Sequence, residues 1–165
     1  MTKETHRCLP LAALVLALAP LAVALGAQYL AGLAPCPLCH WQRYPYVVAA
    51  VLAGLAFFAG PRGARPLVVL AALAILVSAG IAAFHVGVEQ KWWQGTAGCT
   101  GGIDFSGMSI DEMQQALENE APARCDEPAW TLLGISMAGY NLIYAAIAGI
   151  GLLIAAVRCN RPKSA

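Results

Sequence analysis

Four stretches of this chain hold no Asp, Glu, Lys or Arg, and that constrains its fold more than any motif does. They run from Cys8 to Gln42, Tyr44 to Pro61, Pro66 to Val88 and Pro128 to Val157. Each is near or above the roughly 20 residues an α-helix needs to cross a bilayer. With 59% hydrophobic and 12% charged residues over 165 positions, the composition lies well outside that of water-soluble domains. Lipid offers no partners to backbone N–H and C=O groups, so apolar runs of this length read as helices. The expected fold is an all-α integral membrane protein, a single domain of four transmembrane helices over about 9–33, 41–59, 67–88 and 130–157. Two outer loops, about 34–40 and 89–129, connect the helices on one side.

Charge is divided between the two sides. Lys3, Arg7, Arg62, Arg65, Arg158, Arg161 and Lys163 fall in the two termini and the middle connection, with Glu4 as the only acid there. The segment from Glu89 to Glu127 carries the other eight acids against Lys91 and Arg124. Basic connections stay in the cytoplasm, so both termini are expected inside and both cysteine-bearing loops outside. Trp92, Trp93 and Trp130 flank the long loop, and Tyr29, Trp41, Tyr44 and Tyr46 flank the short one, where an aromatic belt would lie,. Lys3 and Arg7 ahead of an apolar run also suit a cleaved signal peptide, but the run exceeds the roughly 7–15 residues of such a core, and helix one is read as retained.

Pro45 either opens the straight membrane portion of helix two or kinks it. Pro61, Gly63 and Pro66 read as a tight basic turn before helix three. In the long loop, Gly95, Gly98, Gly101 and Gly102 around Cys99 predict a mobile backbone. Ser109 and Glu112 have capping-box spacing, and Ile110, Met113 and Leu117 share a helical face, so a short amphipathic helix on the membrane surface is expected. A solvated acidic turn is its alternative.

The chemistry centres on Cys36-Pro37-Leu38-Cys39. With Pro37 at the first position of a helix, Cys36 becomes the cap and Cys39 lies in the first turn, within the positive end of the helix dipole. Arg43, one turn further on the same face, can add a second positive influence, which makes Cys39 the better electron-handling thiol. Of the six cysteines, Cys8 and Cys159 lie at cytoplasmic ends and are expected reduced. Cys36, Cys39, Cys99 and Cys125 form an even outer set, for which two static disulfides are one reading. A bridge across two residues constrains little chain, so for Cys36 and Cys39 that reading is the weaker one. A metal held by Cys36, Cys39, His40 and a loop cysteine is a further alternative, although zinc ribbons usually supply a second close-spaced pair. Arg43 in an apolar segment is either a snorkelling anchor or a partner for a thiolate and an acceptor that gains negative charge. His85 is either a packed polar group or a proton-handling residue.

The order of these features resembles the DsbB family of disulfide bond formation proteins. Cys36-Pro37-Leu38-Cys39-His40-Trp41-Gln42-Arg43-Tyr44-Pro45 is similar to its signature, and the widely spaced Cys99 and Cys125 follow in the second loop. In the vitamin K epoxide reductase family, which also has a four-helix core, the loop pair precedes the Cys-x-x-Cys, so the order here favours DsbB. The resemblance implies an enzyme of the bacterial inner membrane that re-oxidises a periplasmic DsbA-type thioredoxin-fold protein and passes the electrons to ubiquinone or menaquinone. It further implies that Cys99 is attacked by the partner, with Cys125 as its bridge mate. Cys36 would resolve the exchange between loops, Cys39 would contact the quinone, and Arg43 would stabilise quinone and thiolate. His85 matches a histidine near the end of the family's third helix. No flavin or nucleotide fingerprint is present, which also points to a lipid-soluble acceptor. Partners are thus a thiol protein, the quinone pool and the bilayer, with no nucleic acid. The alternative in another class is a non-enzymatic membrane scaffold with two structural disulfides.

Overall fold

The computed structural model describes residues 3–96, 99, 107–111, 114 and 123–158. Among these, four long helices form a bundle: α1 (Lys3–Tyr29), α2 (Pro37–Phe58), α3 (Pro61–Glu89) and α4 (Met137–Arg158). A two-stranded antiparallel hairpin, β1 (Thr131–Leu132) and β2 (Ile135–Ser136), precedes α4. The helical architecture and its order follow the charge-free runs.

The packing is that of a bundle made for lipid. Its centre is alanine: Ala13, Ala17, Ala49, Ala53, Ala56, Ala71, Ala72 and Ala145 are fully buried. Large side chains such as Val23, Val51, Phe58, Val77 and Ile147 face outward. Water would drive those groups inward, whereas lipid is indifferent to them and close approach of small residues supplies the helix contacts. Gly149 shows how close the approach is, since a Cβ there would lie 2.7 Å from Leu76 of α3. The first helix belongs to this core through Ala13 and Ala17, and Tyr144 of α4 donates to the Leu16 carbonyl at 2.9 Å. Three helices, over Arg7–Tyr29, Arg62–Glu89 and Met137–Arg158, are long and apolar enough to cross a membrane. In α2, His40, Gln42 and Arg43 occupy the early turns and lower its mean hydropathy.

Several boundaries differ from expectation. The connection between α2 and α3 shrinks to Ala59 and Gly60, and Pro61, Gly63 and Pro66 lie inside α3 rather than in a turn. Proline at a first helical position loses nothing, because that N–H has no partner in any helix. Pro45 lies within α2, which continues through it. The fourth helix begins at Met137 rather than near Trp130, because residues 131–136 form the hairpin. Leu133 and Gly134, with φ of 52° and 77°, make its tight two-residue turn. Gly134 adopts that conformation freely, but a leucine there gives no warning in sequence. The amphipathic helix expected over Ile110–Leu117 falls largely outside the described residues, as do Gly98, Gly101 and Gly102.

The C-terminal end of α3 is closed by its own chain. Lys91 turns back with φ of 60°, Trp93 stacks on Phe84 at 5.8 Å, and its indole N–H donates to the Phe84 carbonyl at 3.0 Å. The ring lies over Gly87, where a Cβ would sit 1.9 Å from Trp93. This fold-back carries the following loop over the ends of α2 and α3, where the cysteines are.

Candidate functional site

The helix start at Pro37 places the first thiol pair. Cys36 is the N-cap of α2, and its Sγ accepts from the Cys39 N–H at 3.3 Å. A thiol takes the capping role usually held by Ser or Asp. The two sulfurs are 2.9 Å apart and unbridged, with Cys36 donating to Cys39. That hydrogen bond is the main cause that holds the Cys39 thiol below its ordinary range, and burial opposes it. The Cys39 backbone N–H bonded to Cys36 and the Arg43 charge act in the same downward direction, with smaller effect. Cys36 is pushed up, first by the same bond and then by burial. The shifts run in the direction the sequence reading expected, down at Cys39 and up at Cys36, and at Cys39 the neighbouring thiol contributes more than Arg43.

The loop pair is bridged. Cys99 and Cys125 form a disulfide with Cα atoms 4.9 Å apart, and the Cys125 N–H donates to the Cys99 carbonyl at 3.3 Å. Gly95 lets the loop pass closely, since a Cβ there would fall 2.7 Å from the Cys99 Cβ. Cys36, Leu38, Val88, Cys99 and Cys125 form one buried cluster, against which Cys39 and Ala123 pack. Both cysteine pairs, 60 or more positions apart in the sequence, thus pack in one buried cluster. Beside Cys125, Arg124 and Asp126 form a two-pronged ion pair at 3.0 and 2.8 Å, which holds the Asp126 carboxyl below its ordinary range.

His85 reaches this cluster from α3. It is 3% exposed, and its Nε2 lies 3.6 Å from Cys36 Sγ and 3.8 Å from Glu89 Oε1. The Gln42 amide donates to its Nδ1 at 2.8 Å, which leaves the ring hydrogen on Nε2, the nitrogen facing the sulfur,. Gln42 in turn accepts from Asn141 at 2.6 Å, and Asn141 accepts from the Tyr46 hydroxyl at 2.7 Å. Ser78 donates to the Gln42 carbonyl at 2.9 Å, and Ser136 donates to Glu89. Every member of this buried chain is satisfied, so the imidazole is held in one orientation.

Arg43 points elsewhere. It donates from Nη1 to Gln28 Oε1 at 2.7 Å and from Nη2 to the Ala24 carbonyl at 3.5 Å, both on α1. Its Nε is buried with no protein partner among the described residues. The Arg43 side chain lines a 530 Å³ cavity bordered by all four helices and by residues flanking Cys125. Cys36, Cys39, Gln42, Arg43, His85 and Glu89 line its outer end, and apolar side chains such as Leu21, Val23, Leu33 and Met137 line most of the rest.

Of the six residues expected at the site, Cys36, Cys39, Cys99, Cys125 and His85 converge, and Arg43 joins through the cavity. The metal set imagined with His40 and a loop cysteine does not assemble, because His40 is exposed and the loop cysteines bond each other. Sequence reasoning gave no role to Gln42, Glu89, Asn141 or Gln28. Lone polar residues in apolar helices are their one signal, and Glu89 also lies one turn beyond His85.

A sequence profile described as "Disulfide bond formation protein DsbB" matches residues 6–156. An uncharacterized protein of Rickettsia prowazekii (strain Madrid E) is 30% identical over 142 residues, covering 86% of this chain and 82% of its own. Disulfide bond formation protein B of Acidovorax sp. (strain JS42) is 34% identical over 148 residues, 87% of this chain and 83% of the relative. The protein of that name from Polaromonas sp. (strain JS666 / ATCC BAA-500) is 36% identical over 140 residues, 81% of each chain. No solved structure matches the chain.

Proposed function

The chain belongs to the DsbB family of disulfide bond formation proteins, and on that basis we propose that it oxidises a periplasmic DsbA-type thioredoxin-fold protein and delivers the electrons to ubiquinone or menaquinone. One observation carries this reading: an unbridged thiol pair and a disulfide share a buried cluster, and the thiol pair lies at the end of an apolar cavity lined also by the Arg43 side chain. A purely structural pair of bridges would have no need of the free thiols or of a buried donor left without an acceptor.

The cavity fits a quinone headgroup. The Arg43 guanidinium brings a charged donor group to the cavity wall for a carbonyl oxygen, apolar walls suit the ring and tail, and Cys39 and His85 border the same space. A bound quinone would supply the capacity to take up two electrons and two protons.

The residues of the chain divide the remaining work. The partner's dithiol is oxidised as its two electrons open the Cys99–Cys125 bridge, leaving two thiols there. Those thiols are re-oxidised by a Cys36–Cys39 disulfide, which becomes the dithiol. Closing that pair again releases two electrons and two protons, which balances the cycle. Cys39, the more readily ionised thiol, faces the acceptor, while Cys36 packs with the loop bridge and exchanges with it. His85 Nε2 beside Cys36 is placed to handle the proton of that sulfur. All four helices cross the bacterial inner membrane in this reading, with termini cytoplasmic and both cysteine loops periplasmic.

The test is purified protein in lipid nanodiscs given reduced DsbA-type protein and either quinone. Quinone reduction matched by loss of partner thiols is expected. Neither quinone being reduced would favour the scaffold with structural bridges.

A further inference from the structure

Three ligand-bearing atoms meet where the thiol pair joins α3. Cys36 Sγ, Cys39 Sγ and His85 Nε2 all lie within 4.8 Å of one another, and Cys36 and His85 are 4% and 3% exposed. We propose that the reduced Cys36–Cys39 pair and His85 form a binding site for a soft divalent cation such as zinc or cadmium, and that the site exists only while the pair is reduced.

The geometry needs little change. With metal bonds of about 2.3 Å to sulfur and about 2.0–2.1 Å to nitrogen, a tetrahedral site has a sulfur-to-nitrogen edge of roughly 3.6 Å. The Cys36 Sγ to His85 Nε2 distance is 3.6 Å. The sulfur-to-sulfur edge would be roughly 3.8 Å, so the sulfurs, now 2.9 Å apart, must part by less than the length of a bond. They lose their hydrogen bond when the cation replaces its proton, and the Cys39 N–H remains bonded to Cys36 Sγ. The fourth position is left to water; Glu89 Oε1 stands 3.8 Å from His85 Nε2, and Ser136 donates to the other oxygen of the same carboxylate.

The surrounding groups fit a bound imidazole. Coordination through Nε2 transfers the ring hydrogen to Nδ1, where Gln42 now donates. Gln42 must then present its oxygen. Turning its amide together with that of Asn141 reverses the chain to Tyr46, whose hydroxyl can accept as well as donate, at the cost of the Asn141 bond to Ser78 Oγ at 3.4 Å,. Orienting partners of this kind are what metal-binding histidines require. The ligand set also selects the ion, because two thiolates and an imidazole favour zinc or cadmium over magnesium or calcium.

Binding releases two thiol protons and moves no electron. Two thiolates neutralise the dication in a buried place, which offsets the cost of burying each charge alone. Closing the pair to a disulfide removes both thiolates and expels the cation, so a bound cation opposes oxidation of the pair. This inference needs only the free thiols, and it stands or falls apart from the quinone reading.

The experiment uses the full chain in detergent with Cys8→Ser, Cys99→Ala, Cys125→Ala and Cys159→Ser, which leave Cys36 and Cys39 as its cysteines, in reduced and oxidised forms. Cadmium is titrated while the ultraviolet thiolate-to-cadmium absorption is recorded, and the zinc complex is examined by X-ray absorption. One equivalent bound by the reduced form and none by the oxidised form is expected, with two sulfur ligands and at least one imidazole. His85→Ala should lose affinity, and Gln42→Leu should weaken it by about 10- to 100-fold, the usual effect of removing an orienting partner. Equal binding by the oxidised form, no binding by the reduced form, or a zinc spectrum without an imidazole would each overturn the proposal. The spectrum is taken on protein with His85 and Gln42 intact, so a folding defect in either variant leaves that result decisive.

Discussion

Replacing Arg43 by Lys separates charge from geometry at the cavity. The guanidinium spends its two terminal nitrogens on Gln28 and the Ala24 carbonyl of α1, its Nε has no protein partner among the described residues, and the side chain lines the cavity. A lysine ammonium keeps the positive charge, but it is a single point. Seated on Gln28 Oε1 it has no second, rigidly aimed donor for a quinone oxygen. The loss is therefore one charged hydrogen bond to the acceptor, worth about 1.5–3 kcal/mol. At roughly 1.4 kcal/mol per factor of ten, the quinone KM should rise about 10- to 150-fold. The assay is steady-state quinone reduction in nanodiscs across a quinone series, with reduced DsbA-type protein held in excess. Gln28→Leu, which removes one of the two bonds to α1 but keeps the guanidinium, should raise KM by less than Arg43→Lys. A quinone KM in Arg43→Lys indistinguishable from that of the unmodified protein would refute the reasoning and reduce Arg43 to a tie between α1 and α2.

Cys99→Ala should abolish oxidation of the protein partner while the Cys36–Cys39 pair still reduces quinone when given a small dithiol; unchanged partner oxidation would return the loop bridge to a structural role. In the reduced protein, alkylation should be faster at Cys39 than at Cys36. Its rate should rise with pH through a midpoint below the ordinary thiol value of about 8.5, because Cys39 is held down and Cys36 pushed up. Peptide mapping after a pH series of iodoacetamide pulses reads this, and preferential labelling of Cys36 would reverse the assignment. Gly87→Ala puts a Cβ 1.9 Å from the Trp93 ring, so Trp93 must leave Phe84. Overpacking of this kind costs about 1–3 kcal/mol, which should appear as a lower Tm and easier reduction of the Cys99–Cys125 bridge.

The helical class, the order of the helices and the start of α2 were legible in the chain itself. Absence of charge over a bilayer's length leaves a backbone few choices but helix, and Pro37 fixes where α2 begins, with Cys36 as cap and Cys39 a turn inside,. These are local properties, and local spacing carries them. The tertiary structure decided which side chains meet. His85 stands 49 positions from Cys36, and Asn141 stands 99 from Gln42, yet each pair is in contact. Nothing in a run of apolar residues reveals how a helix is rotated about its axis, because in lipid the large groups may face outward on any side. Rotation is set by alanines packing against alanines in α1, α2, α3 and α4, and that packing turned Arg43 toward α1 and the cavity, with only a minor effect on Cys39. The hairpin over residues 131–136 arose in the same way. Leu133 takes a conformation its own side chain disfavours, and the strands are held by their pairing and by Ser136, which reaches both Glu89 and the start of α4.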